Sequence, residues 1–305
     1  MAKQIIAIVG AGLMGHGIAQ VFALAGHDVH VFDSQQAALD TLRARIASNL
    51  ALLGIEGGAE ARVSGHSDLG AAVATADIVI EAAPEKLELK RGIFAELVKL
   101  APKTALLASN TSVIPIGSIA EELPGRERIL GTHWWNPPFL VPLVEVVGTT
   151  DTSEAAIAAM IALLSSVGKT PVHIRKDVPG FVGNRLQHAL WREAIAIVAE
   201  GIADAETVDT VVKSSFGRRL AVLGPLENAD LVGTDLTLDI HNVVLAHLDR
   251  SPAPSPYLAG LVAAGRMGMK SGQGFRRWSV GEAEALRAKV FAHLKNFGPT
   301  PADPK

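Results

Sequence analysis

Gly10-Ala11-Gly12-Leu13-Met14-Gly15 stands between a continuous apolar run, Ile5–Val9, and a helix-like stretch over residues 13–25. Few short segments narrow the choice of fold so far. An unbroken apolar run of this kind belongs to a strand buried on both faces of a parallel sheet. The glycines then have separate tasks: a tight turn, close approach of a pyrophosphate to the backbone, and close packing of helix on strand. A phosphate would sit at the helix N-terminus, where free N–H groups and the dipole favour an anion. Asp33 closes a second strand-like run at residues 29–32. Its carboxylate would accept hydrogen bonds from ribose hydroxyls and repel the extra phosphate of NADP, so NAD is the expected dinucleotide. The glycine spacing alone is a weak signal, and a ligand-free turn is the competing reading. Strand, helix and Asp33 together favour a site in which Gly10, Gly12, Leu13, Met14, Gly15 and Asp33 contact the cofactor.

The rest of the first half repeats the alternation. A long helix is expected over residues 34–53, strands at 78–80, 106–108, 129–132, 141–147 and 172–174, and helices at 86–100 and 153–167. Alternation of this kind makes an α/β chain with a doubly wound, parallel sheet. After Lys176-Asp177-Val178-Pro179-Gly180 the pattern becomes helical, over 181–200, 205–214 and 225–231. The expected domains are therefore 1–178 and 179–305, the second all-helical. Residues 251–256 read as a proline-rich turn and 299–305 as a loose tail.

Composition excludes several classes of function. The 305 residues carry a net charge of −3, with 49% hydrophobic and 19% charged residues, an ordinary globular balance. That gives no electrostatic reason to expect nucleic acid or an anionic membrane as a partner. There is no cysteine, so disulfides, thiolate metal sites and a cysteine nucleophile are excluded, and no metal site is expected. The first residues lead straight into a strand-like run, leaving no room for a signal peptide. No apolar run approaches the ~20 residues of a membrane span. A cytoplasmic protein is the expectation.

The second constellation is His133-Trp134-Trp135-Asn136-Pro137-Pro138, with Glu145 twelve residues beyond the histidine. Histidine is the side chain best suited to exchanging a proton near neutral pH. If the chain doubles back around Phe139, His133 and Glu145 fall opposite each other. A base backed by a carboxylate is what acid–base chemistry requires. From the residues alone the competing readings are His133 as a hydrogen-bonded core histidine, Glu145 as a surface charge, Asn136-Pro137 as a turn, and Trp134 and Trp135 as core or cleft wall.

Taken together, these and further segments resemble the 3-hydroxyacyl-CoA dehydrogenase family over nearly the whole chain. The likeness is carried by GAGLMGHGIA at 10–19, EAAPE at 81–85, SNTS at 109–112, HWWNP at 133–137, PLVEV at 142–146, KDVPGFVGNR at 176–185 and KSGQGF at 270–275. The resemblance implies a Rossmann-type domain followed by a helical one, and oxidation of a 3-hydroxyl to a 3-oxo product with NAD. It implies His133 as general base, Glu145 as the group that holds its tautomer, and Ser112 and Asn184 as binders of substrate oxygens. It also implies cofactor contacts at Glu85, Lys90, Asn110, Asn136 and Lys270, and a homodimer formed by the helical domain. Lys90 and Lys270 as solvated charges, and Ser112 as a cap on a short helix near Pro115, are the competing readings.

Two departures bear on the substrate. CoA-using members carry a longer, lysine-rich helical pair after the second strand. Here residues 41–69 are shorter, with Arg43, Arg45 and Arg62 as their cations and no lysine between Lys3 and Lys86. Trp134-Trp135 replaces the family's usual Phe-Phe and adds candidate substrate contacts. In the helical domain, GRRL at 217–220 and GPLE at 224–227 resemble the branch containing L-gulonate dehydrogenase and lens lambda-crystallin. There Arg218 or Arg219 would clamp a free carboxylate, with a solvated loop pair as the competing reading. The open alternatives are a small free 3-hydroxy acid in place of an acyl-CoA, a β-hydroxyacid dehydrogenase that uses a helix-borne lysine, and a non-catalytic NAD-binding protein.

Overall fold

The computed structural model describes residues 3–296. By compactness the described residues form two units: one runs to Asn184 and takes back residues 291–296, and the other is Arg185–Val290. The tail expected at 299–305 lies outside the described residues.

The first unit is built on one eight-stranded sheet: β1 Ile5–Val9, β2 Asp28–Phe32, β3 Val63–His66, β4 Ile78–Glu81, β5 Leu106–Ser109, β6 Ile129–Trp134, β7 Leu143–Val147 and β8 Thr170–Ile174. The spatial order is β3-β2-β1-β4-β5-β6-β7-β8. β1 to β6 are parallel, and the order reverses at β1 and β4, where a doubly wound sheet opens its ligand crevice. β7 runs antiparallel to β6, because the connection over residues 135–142 is too short for a crossover. β8 then returns parallel to β7 through the helix Glu154–Ser166. Each sheet face carries its own core: Ile6, Ile8, Phe22, Ile46 and Met160 on one, Ala7, Val79, Phe94, Leu97 and Phe181 on the other.

Three expectations change. β3 had no apolar run to reveal it, since only Val63 of its four residues is buried. The long helix over 34–53 is two helices, Gln36–Asp40 and Leu42–Leu53. The break falls at Thr41, whose hydroxyl bonds the Ala37 and Ala38 carbonyls, while Arg45 Nη2 also bonds Ala38 O at 2.9 Å; such side chains compete with the backbone ladder. β6 continues two residues past Thr132, which places His133 within a strand, not at its end.

The second unit is helical: Ala205–Ser214, Pro225–Val232, Thr234–Val244 and Pro256–Ala263, with the helices Gly183–Ala199 and Val280–Asn296 entering and leaving it. Its helices leave Leu226, Leu231 and Val243 more than two-thirds exposed, as its turns leave Ile202 and Val222, whereas Leu261 and Ala283 are its buried apolar side chains. No helix among the described residues is long and apolar enough to cross a membrane.

Candidate active site

The glycine loop leaves β1 and enters the helix Leu13–Leu24 at the switch point of the sheet. Gly10 has φ +107°, a conformation that suits glycine, and a Cβ there would lie 2.9 Å from Ala82 O. A Cβ on Gly15 would lie 1.7 Å from Gly10 O, so the helix can approach the strand only with glycine at this position. A Cβ on Gly12 would meet nothing within 4 Å. That open space lies over the backbone N–H groups at the helix start, which fits a pyrophosphate. Leu13 is 65% exposed and Met14 is half-buried beside the same turn.

Asp33 holds this turn in shape. Ala11 N–H donates to its Oδ2 at 2.7 Å and Gln35 N–H to its Oδ1 at 2.8 Å. Each carboxylate oxygen keeps a second lone pair for ribose hydroxyls. On the other side of the loop, Arg45 Nη2 donates to Ala11 O at 2.7 Å. The residues present therefore fit NAD.

At the far side of the crevice the hairpin pairs His133 directly with Glu145. His133 Nδ1 lies 2.7 Å from Glu145 Oε2, and both side chains are buried. Glu145 Oε1 accepts hydrogen bonds from Val182 N–H at 2.9 Å and Gly183 N–H at 3.0 Å. Burial works against ionisation of Glu145. The bonds from His133, Gly183 and Val182 outweigh it, so its pKa lies below the usual carboxylate range. An ionised carboxylate can only accept, which puts the imidazole proton on Nδ1. Nε2 is then the basic nitrogen, without a protein partner among the described residues. The rings of Trp135 and Phe181 flank the imidazole at 5.2 and 5.8 Å between centroids.

Ser112 is placed by the segment around it. Glu85 Oε1 accepts hydrogen bonds from Thr111 Oγ1 at 2.6 Å and from the Ser112 and Val113 N–H groups at 3.0 Å each. Burial opposes ionisation of Glu85, but these bonds and the Lys90 ammonium hold its pKa down. Asn184 Nδ2 donates to Ser112 O at 2.8 Å, leaving its own Oδ1 and the Ser112 hydroxyl available. Ser112 does not cap the short helix Ile116–Ile119. Asp177 does, accepting from Ile116 N–H and Gly117 N–H. The connector 177–184 thus fixes Glu145, the Ser112 loop and, through Phe181, the imidazole.

Two assignments need correction. Lys90 is fully buried, so no ligand reaches it, and it is not a solvated charge either. Its ammonium sits 2.7 Å from Glu81 Oε1, 3.2 Å from Ala83 O and 3.6 Å from Glu85 Oε2. Glu81 is equally buried and also accepts from Ser109 Oγ at 2.6 Å and Ala83 N–H at 2.6 Å. Trp134 is likewise removed from any substrate. Side chains alternate along a strand, so Trp134 faces away from His133, 2% exposed and edge-on to Phe22.

The remaining assigned residues are distributed unevenly. Asn110 is buried and its Oδ1 accepts Trp134 N–H at 2.9 Å, so it ties β5 to β6 beside the crevice. Asn136 is exposed before the cis peptide to Pro137. Lys270, Arg218 and Arg219 are exposed side chains of the second unit. Sequence reasoning missed Glu81, Thr111 and Asp177 as organisers, although each lies inside a quoted segment. It also missed Lys169, whose ammonium donates to Pro138 O and Val141 O, and which burial pulls down to about 8.

A dinucleotide crevice facing a carboxylate-backed imidazole defines an NAD-dependent oxidoreductase. Comparison with known proteins gives the family. Residues 5–178 match the 3-hydroxyacyl-CoA dehydrogenase NAD-binding domain, and residues 180–278 match that family's C-terminal domain. The chain belongs to the 3-hydroxyacyl-CoA dehydrogenase family. It is 35% identical to 5-formyl-3-hydroxy-2-methylpyridine 4-carboxylate 5-dehydrogenase of Mesorhizobium japonicum, over 93% of this chain and 94% of that protein. It is 37% identical to a probable 3-hydroxybutyryl-CoA dehydrogenase of Deinococcus radiodurans, over 89% and 99%. A crystal structure of the former type of enzyme, described as an NAD+-dependent dismutase, superposes with a TM-score of 0.90 at 34% identity, covering 97% of each chain.

Proposed function

We propose that the protein oxidises a secondary alcohol beta to a carboxyl or thioester carbonyl, with His133 as general base. The observation that carries this reading is the 2.7 Å contact of Nδ1 with Glu145, which leaves Nε2 free to take the hydroxyl proton. When bound, NAD+ supplies the hydride acceptor. Ser112 and Asn184 hold the substrate oxygens, and Glu145 stabilises the imidazolium as the proton arrives. Asp33 and the glycine loop hold the dinucleotide, and Asn110 and Asn136 complete its contacts. Glu85 acts on the same site by holding the Ser112 loop. The test is a screen of NADH and NADPH oxidation with acyl-CoA thioesters and small oxo acids side by side. Turnover of a 3-oxo compound with NADH preferred supports the reading, and turnover confined to compounds without a 3-oxo group contradicts it.

A small free acid is the better substrate on one observation. Each cation of residues 41–69 has a partner within the protein: Arg43 on Val63 O, Arg45 on Ala11 O and Ala38 O, and Arg62 beside Asp28. Three arginines already tied to the protein, and no lysine, make a sparse set of cations for the phosphates of a CoA nucleotide. In the screen, acetoacetyl-CoA exceeding every small oxo acid would overturn this choice.

The enzyme works as a homodimer. The exposed apolar side chains on the helices of the second unit support this, since residues such as Leu226 and Leu231 gain stability only when covered. Its setting is the cytoplasm, where it draws on dissolved NAD. Sedimentation analysis at micromolar concentration checks the assembly, and a monomer would refute it.

A further inference from the structure

Lys169 stands immediately before β8 and reaches the connection between the two strands that carry His133 and Glu145. Its Nζ donates to Pro138 O and to Val141 O, the latter at 3.1 Å, and lies 5.5 Å from the centroid of the Trp134 ring. The same connection is bonded to β8 by Thr170 N–H on Pro142 O at 2.9 Å. Among the described residues no carboxylate pairs with this ammonium. A sheltered cation held only by carbonyls and a ring is a poor way to stabilise a fold, because the charge gives up hydration without a counter-charge. What it does accomplish is positional.

Residues 135–142 determine where β6 ends and β7 begins, and so how the imidazole meets its carboxylate. They also press on the dinucleotide side, since a Cβ on Gly17 of the glycine-loop helix would lie 3.0 Å from the Pro138 ring. One cation therefore grips this loop at two carbonyls and, through Trp134, at the residue that follows the base.

We propose that Lys169 is a positioning residue: it holds the His133–Glu145 hairpin and the Asn136-Pro137 turn in register with the dinucleotide crevice. The proposal rests on His133 being the base. It assigns Lys169 no contact with substrate or cofactor.

The experiment compares K169M and K169R with the parent and with H133Q. It uses NADH-dependent reduction of acetoacetate or acetoacetyl-CoA, whichever the parent turns over. For K169M we expect kcat to fall by about tenfold to hundredfold, the scale of a displaced catalytic group. NADH affinity should stay within about twofold and Tm within about 3 °C. K169R should regain most of the rate, because a guanidinium can bond both carbonyls and stack on the indole. A K169M kcat within twofold of the parent, or a loss that follows Tm and is not regained in K169R, overturns the proposal. A substrate-free arm reads the imidazole by 15N NMR of histidine-labelled protein, with H133Q assigning the signal. The His133 resonance should move in K169M and return toward the parent in K169R; an unmoved resonance also overturns the proposal. Should K169M fail to fold, K169Q takes its place in both arms under the same criteria. An active H133Q would defeat the base assignment, whereas an inactive H133Q with unimpaired K169M would defeat only the role of Lys169.

Discussion

Glu145 holds His133 Nδ1 with one carboxylate oxygen, at 2.7 Å, and receives the backbone N–H groups of Val182 and Gly183 on the other. The carboxylate is therefore fixed from both sides, and the imidazole inherits that fixity. E145Q keeps the shape but offers an amide that can donate to Nδ1, favouring the wrong tautomer. We expect kcat to fall by about 10²–10⁴-fold with cofactor affinity unchanged, as read by steady-state kinetics and fluorescence titration. A loss confined to KM would mean that Glu145 serves binding instead.

Acid should weaken the fold through the same group. The folded pKa values of Glu145 and Glu85 lie below the unfolded value of about 4.3. The unfolded chain takes up protons first, so the stability these groups contribute is complete above that value. It is lost as pH falls through their lower folded values. Urea midpoints measured from about pH 6 down to pH 3 should decline more steeply for the parent than for E145Q. Parallel declines would show that Glu145 is not linked to acid unfolding.

Removing Lys90 strands Glu81 as a buried, uncompensated charge. K90M should cost about 3–5 kcal/mol in urea unfolding, with the slope of the transition unchanged. A cost below about 1 kcal/mol would mean that Ser109 and Ala83 suffice for the carboxylate.

Two glycines of one loop should behave oppositely. In G15A the new methyl would meet Gly10 O at 1.7 Å, so the protein should lose most of its stability. In G12A the methyl enters open space at an ordinary φ of −67°, so the fold should persist while NAD affinity falls. Thermal melts and NADH fluorescence separate the two effects, and a G12A protein that binds NADH normally would argue against pyrophosphate at this turn.

The sheet and the His133–Glu145 pairing were legible in the sequence for different reasons. Ile5–Val9 and the glycines announce the crevice locally, and the equal spacing of His133 and Glu145 about Phe139 gives their register once the chain doubles back. β3 was silent because Gly65 and the two polar residues of Val63–His66 carry no apolar period. The burial of Lys90 was hidden because a lysine on a helix reads as solvated until Glu81 is brought over it by the fold. Trp134 and Trp135 differ only through strand alternation, which becomes visible when β6 is extended through residue 134. Lys169 depends on carbonyls 28 and 31 residues away, a contact that no local pattern encodes.

Transfer of the hydroxyl proton to His133 Nε2 is read from the rate of NADH formation by H133Q in a single turnover. That rate should be lowered by about 10²–10⁴-fold, with NAD+ affinity close to that of the parent. A variant that turns over its substrate at the parental rate would contradict it.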